Sequence, residues 1–287
     1  MLQVSIVGCG YSGCALAALW RARGASVRGY AARPESLRAI AAAGATAAAL
    51  DLDRAAPSID VGGRIVYYAV PPAPAGLADA RIERFLAAVD GQPARLVYLS
   101  TTGVYGDCAG ARVDEDMPPK AATPRALRRL AAETALRDWA GARGISWCIL
   151  RVAGIYGPGR LPLERLRRSE PAIAASEATP SNRIHRDDLA AACVAAGSSV
   201  RADRRIFNVA DGTDDSQTAY LERVARIAGL PPPPTVGRDE AKRTFSGSAW
   251  SFLGESRRVD NRRLVEELGV ALSFADLDAG IRASLQG

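Results

Sequence analysis

The sequence of 287 residues contains a single histidine, His185, and only two of its 37 basic residues are lysines. One histidine excludes every metal site that is built on a cluster of histidines. The five cysteines are scattered and never form a Cys-x-x-Cys pair, which favours buried thiols over disulfides or zinc ligands. We therefore predict that the protein has no metal site.

The chain also lacks a long apolar run. No stretch of about 18 apolar residues suggests a membrane span. The first residues, MLQVSIVGCG, enter an apolar strand pattern without the basic region and cleavage site of a secretory signal. These features predict a soluble, cytoplasmic protein with no membrane partner.

The net charge of +6 comes from basic residues spread along the chain, with no interleaved aromatic residues and no recognisable nucleic-acid motif. We therefore expect no nucleic-acid partner and favour an anionic small molecule as the substrate. Arginine and alanine are both abundant, so part of the charge balance can also be a compositional bias without function.

Short apolar segments alternate with segments of helical periodicity over the first 160 residues. The predicted strands are residues 2–8, 24–31, 46–52, 63–72, 94–103 and 145–157. The predicted helices are residues 11–23, 35–45, 80–90 and 124–142. Such alternation with almost continuously apolar strands predicts an α/β fold, a Rossmann doubly wound parallel sheet covered by helices on both faces.

The alternation becomes irregular after Gly157. A helix at 185–197, a strand at 204–211, a helix at 217–228 and a helical tail at 261–285 are predicted there. We predict an NAD(P)-binding Rossmann domain over residues 1–155, to which residues 183–210 return. Residues 156–182 and 211–287 would form a smaller C-terminal substrate-binding lobe.

A G-x-G-x-x-G pattern stands between the first predicted strand and the first predicted helix. In this position the backbone N–H groups and the helix N-terminus face a dinucleotide pyrophosphate. A plain tight turn would leave three glycines at fixed offsets unexplained. The predicted cofactor contacts of this loop are Gly8, Gly10, Tyr11, Ser12 and Gly13.

The end of the second predicted strand lacks the acidic residue that usually binds the ribose 2′-hydroxyl of NAD. Arg33 stands there instead, where its guanidinium can pair with the 2′-phosphate of NADP. We therefore predict NADP as the preferred cofactor and NAD as the alternative, although a solvated arginine would look the same. Pro71 ends the fourth strand, where the cofactor passes, and is expected to shape the cleft wall.

Four segments resemble, in the same order, motifs of a known family. They are STTGVYGD (100–107), LRVAGIYGPGR (150–160), RIHRDDLA (183–190) and FNVADG (207–212). They are similar to the extended and atypical short-chain dehydrogenase/reductases, the NAD(P)-dependent epimerase/dehydratase group. Val7 stands where the extended members usually have the first glycine, which is a trait of the atypical ones.

The resemblance implies a catalytic hydroxyl on Thr101, which would also contact the cofactor, and a Tyr-x-x-x-Lys pair in the following helix. In this chain Arg125 and Arg129 occupy those two positions. A guanidinium does not act as a proton relay, because its pKa is above about 12. Arg129 is expected to hold ribose hydroxyls, and Arg125 to bind an anionic substrate or an oxyanion. For Arg125, a position on a solvated helix surface without function is an equally good interpretation. For Arg128 it is the favoured one.

Other groups are candidates for the missing proton donor. Tyr105 lies near the cofactor by family resemblance and Tyr156 near the domain junction, although packing roles are more common for both. In the HRDD segment, Asp187 or Asp188 is expected to cap a helix, and His185 to tie the two lobes together.

Two functions remain open from the sequence. The first is an oxidoreductase or epimerase that acts on a small or nucleotide-linked sugar-like substrate, with Thr101 polarising a carbonyl and Tyr105 donating the proton. The second is a catalytically inactive NAD(P)-binding sensor or scaffold. Relatives of this kind often pair through the helix that carries the arginines, so a homodimer is possible.

Overall fold

A seven-stranded parallel sheet forms the centre of the computed structural model, which describes residues 1–54, 56–247, 250 and 253–286. Its strands are β1 (Gln3–Val7), β2 (Ser26–Ala31), β3 (Thr46–Ala49), β4 (Ile65–Tyr68), β5 (Arg95–Thr101), β6 (Trp147–Val152) and β7 (Arg205–Val209). The spatial order is β7-β6-β5-β4-β1-β2-β3, and every neighbouring pair is parallel. Because the order reverses at β1, the predicted doubly wound Rossmann-like sheet is confirmed.

Nine helices of the described residues surround this sheet or belong to the C-terminal part. They are α1 (Tyr11–Ala22), α2 (Pro34–Ala42), α3 (Ala80–Ala88), α4 (Pro124–Gly141), α5 (Leu163–Arg167), α6 (Arg186–Ser198), α7 (Gln217–Ala228), α8 (Arg238–Thr244) and α9 (Leu277–Gln286). Among the described residues, no helix is both long enough and apolar enough to span a bilayer.

Two apolar clusters cover the two faces of the sheet. On one face, α1, α2 and α6 bury residues such as Leu16, Ile40 and Leu189. On the other face, α3 and α4 bury residues such as Phe85 and Leu136. The apolar periodicity of these helices therefore places one helical layer on each side, and the carboxyl ends of the strands stay open for a ligand.

The C-terminal part builds a smaller apolar cluster of its own from α5, α7 and α9, with Tyr156 at its edge. Short parallel strand pairs lie within this part and between it and the rest of the chain. The pairs are Gly154–Tyr156 with Arg183–His185, Ala172–Ile173 with Thr235–Val236, and Arg112–Val113 with Arg258–Val259. The exact domain boundaries stay a prediction, and positions 248, 249, 251, 252 and 287 of the predicted lobe lie outside the described residues.

Two predicted elements differ from the structure. The strand predicted at 145–157 is divided, because β6 ends at Val152 and the following Gly154–Tyr156 leaves the sheet to pair elsewhere. The helical tail predicted at 261–285 is also divided. A π-helical turn at Arg263–Glu267 ends where Gly269 takes a left-handed conformation, and α9 begins only at Leu277.

Candidate cofactor and substrate site

The glycine loop is fixed between β1 and α1 by contacts that only glycine permits at its first position. Gly8 has a φ of +85°, and a Cβ placed on it would lie 2.6 Å from the backbone nitrogen of Val70. The N–H groups of Gly8 and Cys9 both donate to the carbonyl of Tyr30 in β2, at 3.1 and 2.9 Å. The loop is therefore held against the sheet and directs the chain into α1.

The N-terminus of α1 offers an anion site. Gly10 precedes the helix and provides no side-chain cap. The first intrahelical bond runs from Cys14 N–H to the Gly10 carbonyl, so the N–H groups of Tyr11, Ser12 and Gly13 have no helical acceptor. A Cβ on Gly10 would meet nothing within 4 Å, so there is open space in front of these donors. Free donors facing open space fit a pyrophosphate.

A cavity of about 710 Å³ extends from this loop across the carboxyl edge of the sheet. With the exception of Thr101, all residues predicted to bind the cofactor line it. They are Gly8, Gly10, Tyr11, Ser12, Gly13, Arg33, Pro71 and Arg129. The residues present therefore fit an extended dinucleotide.

Sequence reasoning missed several polar residues of the same cavity. They are Ser36, Asp51, Asp53, Ser100, Arg81 and Arg160. Asp51 could have been predicted from the sequence as a site residue, because it follows β3 at the carboxyl end of a strand. Arg81 forms two contacts with Asp53, at 2.7 and 2.6 Å, and donates to the Pro71 carbonyl at 3.0 Å. The guanidinium of Arg81 also lowers the pKa of Asp53. Asp53 therefore stays charged and paired with Arg81 in this wall of the cavity.

Arg33 stands at the start of α2 with a side chain that is 76% exposed. Its Nε lies 3.3 Å from Glu35 Oε1. An ion pair as exposed as this one contributes about 0–1 kcal/mol. The guanidinium can therefore exchange Glu35 for a phosphate at small cost.

Arg129 occupies the cofactor cavity from the side of α4. Its Nη1 donates to the Tyr98 hydroxyl at 3.2 Å and to the Leu99 carbonyl at 3.0 Å. These two bonds fix a cation in the cavity wall at the position where the family resemblance implies a lysine. The neighbouring Arg128 is not the solvated residue that the sequence favours. It is 8% exposed and donates to the Gly76 carbonyl at 2.8 Å.

A second cavity, of about 460 Å³, adjoins the first. Ile155 and Arg160 line both, so the two cavities meet at these residues. The guanidinium carbon of Arg160 lies 4.0 Å from the ring centre of Tyr11, and the Tyr11 hydroxyl donates to the Pro158 carbonyl at 2.9 Å. The glycine loop is thereby connected to the chain segment that separates the cavities.

Thr101 lines the second cavity and not the first. Its Oγ1 accepts a hydrogen bond from the Gly103 N–H at 3.1 Å, which caps the short 3₁₀ turn Thr102–Tyr105. Because the oxygen is the acceptor in this bond, the hydroxyl proton is left to donate to another group. The arrangement is suited to polarising a carbonyl oxygen in this cavity.

Arg125 lines the second cavity together with Thr101. Burial lowers its pKa and the charge of Arg129 lowers it further, whereas Glu255 acts in the opposite direction. A guanidinium nevertheless stays charged at neutral pH. Arg125 can therefore bind an anion or an oxyanion but does not transfer a proton.

The structure argues against Tyr105 as the proton donor. Tyr105 is fully buried and lines neither cavity. Its hydroxyl donates to Asn208 Oδ1 at 2.8 Å, and the Arg151 guanidinium lies 4.8 Å from its ring centre. Burial raises the pKa of the phenol. Tyr105 is thus a packing residue beneath the site.

The HRDD segment also differs from the prediction in detail. The cap of α6 is His185 itself, whose Nδ1 accepts from the Asp187 N–H at 3.2 Å. Asp188 instead accepts from the backbone N–H groups of Ser273 and Phe274. The His185 ring lies 4.0 Å from that of Phe274, so His185 contacts the C-terminal segment, as expected.

Comparison with known proteins agrees with this geometry. Residues 80–210 match the model of the NAD dependent epimerase/dehydratase family. This confirms the predicted family resemblance. Protein YeeZ of Escherichia coli K12 is 27% identical over 96% of this chain and 97% of its own length.

Solved structures show the same fold over the whole chain. A functionally unknown conserved protein from Silicibacter pomeroyi has a TM-score of 0.79 at 29% identity, covering 100% of this chain and 99% of its own. The UDP-glucuronic acid 4-epimerase of Bacillus cereus, solved in complex with NAD, has a TM-score of 0.76 at 17% identity, covering 99% and 98%. The latter likeness supports the fold alone.

Proposed function

We propose that the protein binds a nicotinamide dinucleotide in the 710 Å³ cavity and acts as an oxidoreductase or epimerase. The substrate is a small or nucleotide-linked sugar-like molecule in the 460 Å³ cavity. The observation that carries the proposal is the contact between the two cavities at Arg160, with the glycine loop on one side and Thr101 on the other. A cofactor and a substrate can meet only where two such cavities join.

The chain's own residues would hold the cofactor as follows. The first-turn amides of α1 and Gly10 hold the pyrophosphate, and Arg129 holds ribose hydroxyls. Arg33 supports a preference for NADP, since a cation there pairs with the 2′-phosphate. When bound, the nicotinamide would supply hydride transfer.

Residues of the second cavity would orient the substrate. Thr101 donates a hydrogen bond from its hydroxyl to the substrate oxygen at which negative charge develops. Arg125 holds an anionic group of the substrate or stabilises the same oxyanion. Neither residue replaces the acid–base tyrosine of the family, so the proton that the reduced oxygen takes up would come from solvent.

The test begins with dinucleotide binding, measured by fluorescence of NADPH and NADH. Oxidation of NADPH is then followed with a panel of carbonyl compounds. Once a substrate is found, Thr101→Val should lower kcat by about 100-fold, as removal of an oxyanion donor does in other enzymes. Thr179→Val, which changes a threonine elsewhere on the same cavity wall, should leave kcat nearly unchanged.

Binding of NADPH without reduction of any compound of the panel would favour the sensor function over the oxidoreductase. No binding of either nucleotide would contradict both functions. An unchanged kcat in Thr101→Val would remove Thr101 from the mechanism without affecting the cofactor site.

A further inference from the structure

Two tyrosines line the substrate cavity of 460 Å³, and both come from outside helix α4. Tyr156 is 3% exposed and Tyr220 is 5% exposed, and their ring centres are 6.1 Å apart. The positions of their hydroxyl groups differ, although the two rings form one continuous part of the wall. This difference decides which of them can meet a ligand.

The hydroxyl of Tyr156 is turned away from the cavity. A Cβ placed on Gly280 in α9 would lie 2.2 Å from this oxygen, so the hydroxyl is directed at the backbone of that helix. The oxygen is completely enclosed and has no hydrogen-bond partner within the described part of the chain. Tyr156 therefore contributes only the side of its ring to the cavity.

The hydroxyl of Tyr220 has a different environment. Tyr220 lines the cavity, and no described residue forms a hydrogen bond with its oxygen. It therefore keeps access to the cavity that its side chain lines.

Arg183 fixes Tyr220 and lies beside it as a cation. The guanidinium carbon is 4.1 Å from the ring centre of Tyr220. Arg183 is 4% exposed, and it donates to Ser181 and, at 2.9 Å, to Gln217 Oε1. Because Gln217 begins the helix that carries Tyr220, these bonds fix the start of α7 against the guanidinium. A phenol and a cation are thus present at this cavity, although α4 contributes neither a tyrosine nor a lysine.

We propose that Tyr220 is the substrate-facing hydrogen-bond donor of this site and contacts an oxygen of an anionic, oxygen-rich ligand such as a sugar acid or a sugar phosphate. The anionic class follows from the charges of the cavity wall, where Arg125, Arg160 and Arg165 accompany the Arg183–Tyr220 pair. The proposal rests on the proposed function in one respect, since it assumes that the substrate occupies this cavity.

The phenol would act in its protonated form. Burial raises the pKa of Tyr220 to about 12, with Arg183 acting in the opposite direction. A donor with such a pKa keeps its proton throughout the neutral range, so its contribution to ligand binding should not change between about pH 6 and pH 9. A tyrosine activated as in the family pattern would instead titrate near neutral pH.

The test compares Tyr220→Phe with Tyr156→Phe, which remove one oxygen each from two adjoining rings of the same wall. UDP-glucuronic acid and UDP-glucose serve as probes in calorimetry, with the full-length protein at pH 7. Tyr220→Phe should bind UDP-glucuronic acid about tenfold more weakly than the wild type, the effect of one lost hydrogen bond. Tyr156→Phe should bind it as the wild type does.

Equal weakening in both variants would indicate a general change of the wall and would overturn the proposal. Unchanged binding by Tyr220→Phe would also overturn it, and so would a wild type that binds neither probe. NADPH binding is measured separately in the same proteins and should be equal in all three. If NADPH fails to bind the wild type, the proposed function fails while the calorimetry still decides the role of Tyr220.

Discussion

Arg151 and Glu133 form a salt bridge of 2.9 Å in which the two side chains are only 3% and 1% exposed. Ser100 donates a further hydrogen bond to Glu133 at 2.6 Å. The three residues belong to β6, α4 and β5, and Ser100 also lines the cofactor cavity. The buried pair therefore joins the arginine helix to the sheet directly beneath the proposed cofactor.

Glu133→Gln should lower the free energy of unfolding by about 3–5 kcal/mol, because it leaves the charge of Arg151 buried without a counter-ion. Urea denaturation measures this change. Glu164→Gln is the control, since its ion pair with Arg167 has side chains that are 72% and 53% exposed. The control should stay within about 1 kcal/mol of the wild type. Equal losses of unfolding free energy in the two variants would mean that burial does not increase the contribution of the ion pair to stability.

Gly10→Ala should separate folding from cofactor binding. The added Cβ meets no atom within 4 Å, so the substitution creates no steric clash and the protein should stay folded. The methyl group would, however, occupy the space in front of the first-turn amides, and NADPH affinity should fall at least tenfold. Gly141→Ala, also in open space, is the control and should leave affinity unchanged. Normal NADPH binding by Gly10→Ala would exclude the pyrophosphate from this position.

Arg33→Ala should reduce the affinity for NADPH and leave that for NADH nearly unchanged, because only NADPH carries the 2′-phosphate. Charge-assisted hydrogen bonds contribute about 1.5–3 kcal/mol, which corresponds to at least a tenfold loss. Arg38→Ala removes an exposed arginine of the same helix that does not line the cavity, and should affect neither nucleotide. Equal losses of affinity for NADPH and NADH would mean that Arg33 attracts both nucleotides through its charge alone. They would also remove the basis for an NADP preference.

His185 should make stability depend on pH below neutrality. Burial lowers its pKa from the ordinary value of 6.5, so the folded protein favours the neutral ring. The stabilisation from this ring is complete above pH 6.5 and is lost as the pH falls from 6.5 toward the lower folded pKa, because the unfolded chain then binds the proton first.

His185→Asn keeps a cap for α6 and removes the titrating ring. Between pH 7.5 and pH 5.5 the wild type should therefore lose more unfolding free energy than this variant does. Urea denaturation at the two pH values gives the difference. An equal decrease of the unfolding free energy in both proteins would mean that carboxylates, and not His185, cause the pH dependence.

The sequence by itself determined the Rossmann sheet, the glycine loop and the arginines at the tyrosine and lysine positions. Periodicity and glycine spacing are local properties, and a parallel sheet follows from the alternation of strands and helices. Local reasoning placed Arg33 and Pro71 at the carboxyl edge of the sheet, and the family resemblance placed Arg129 at the cofactor. The structure finds all three around one cavity.

Only the tertiary structure decided which tyrosines line the second cavity. Tyr105 lies within the STTGVYGD segment and is buried against Asn208, whereas Tyr220 lies in a helix without a recognised motif and lines the cavity. Arg128 is buried for a similar reason, since its partner at Gly76 is far away in the sequence. Side-chain direction depends on which distant segments pack against a residue, and no local pattern records that contact.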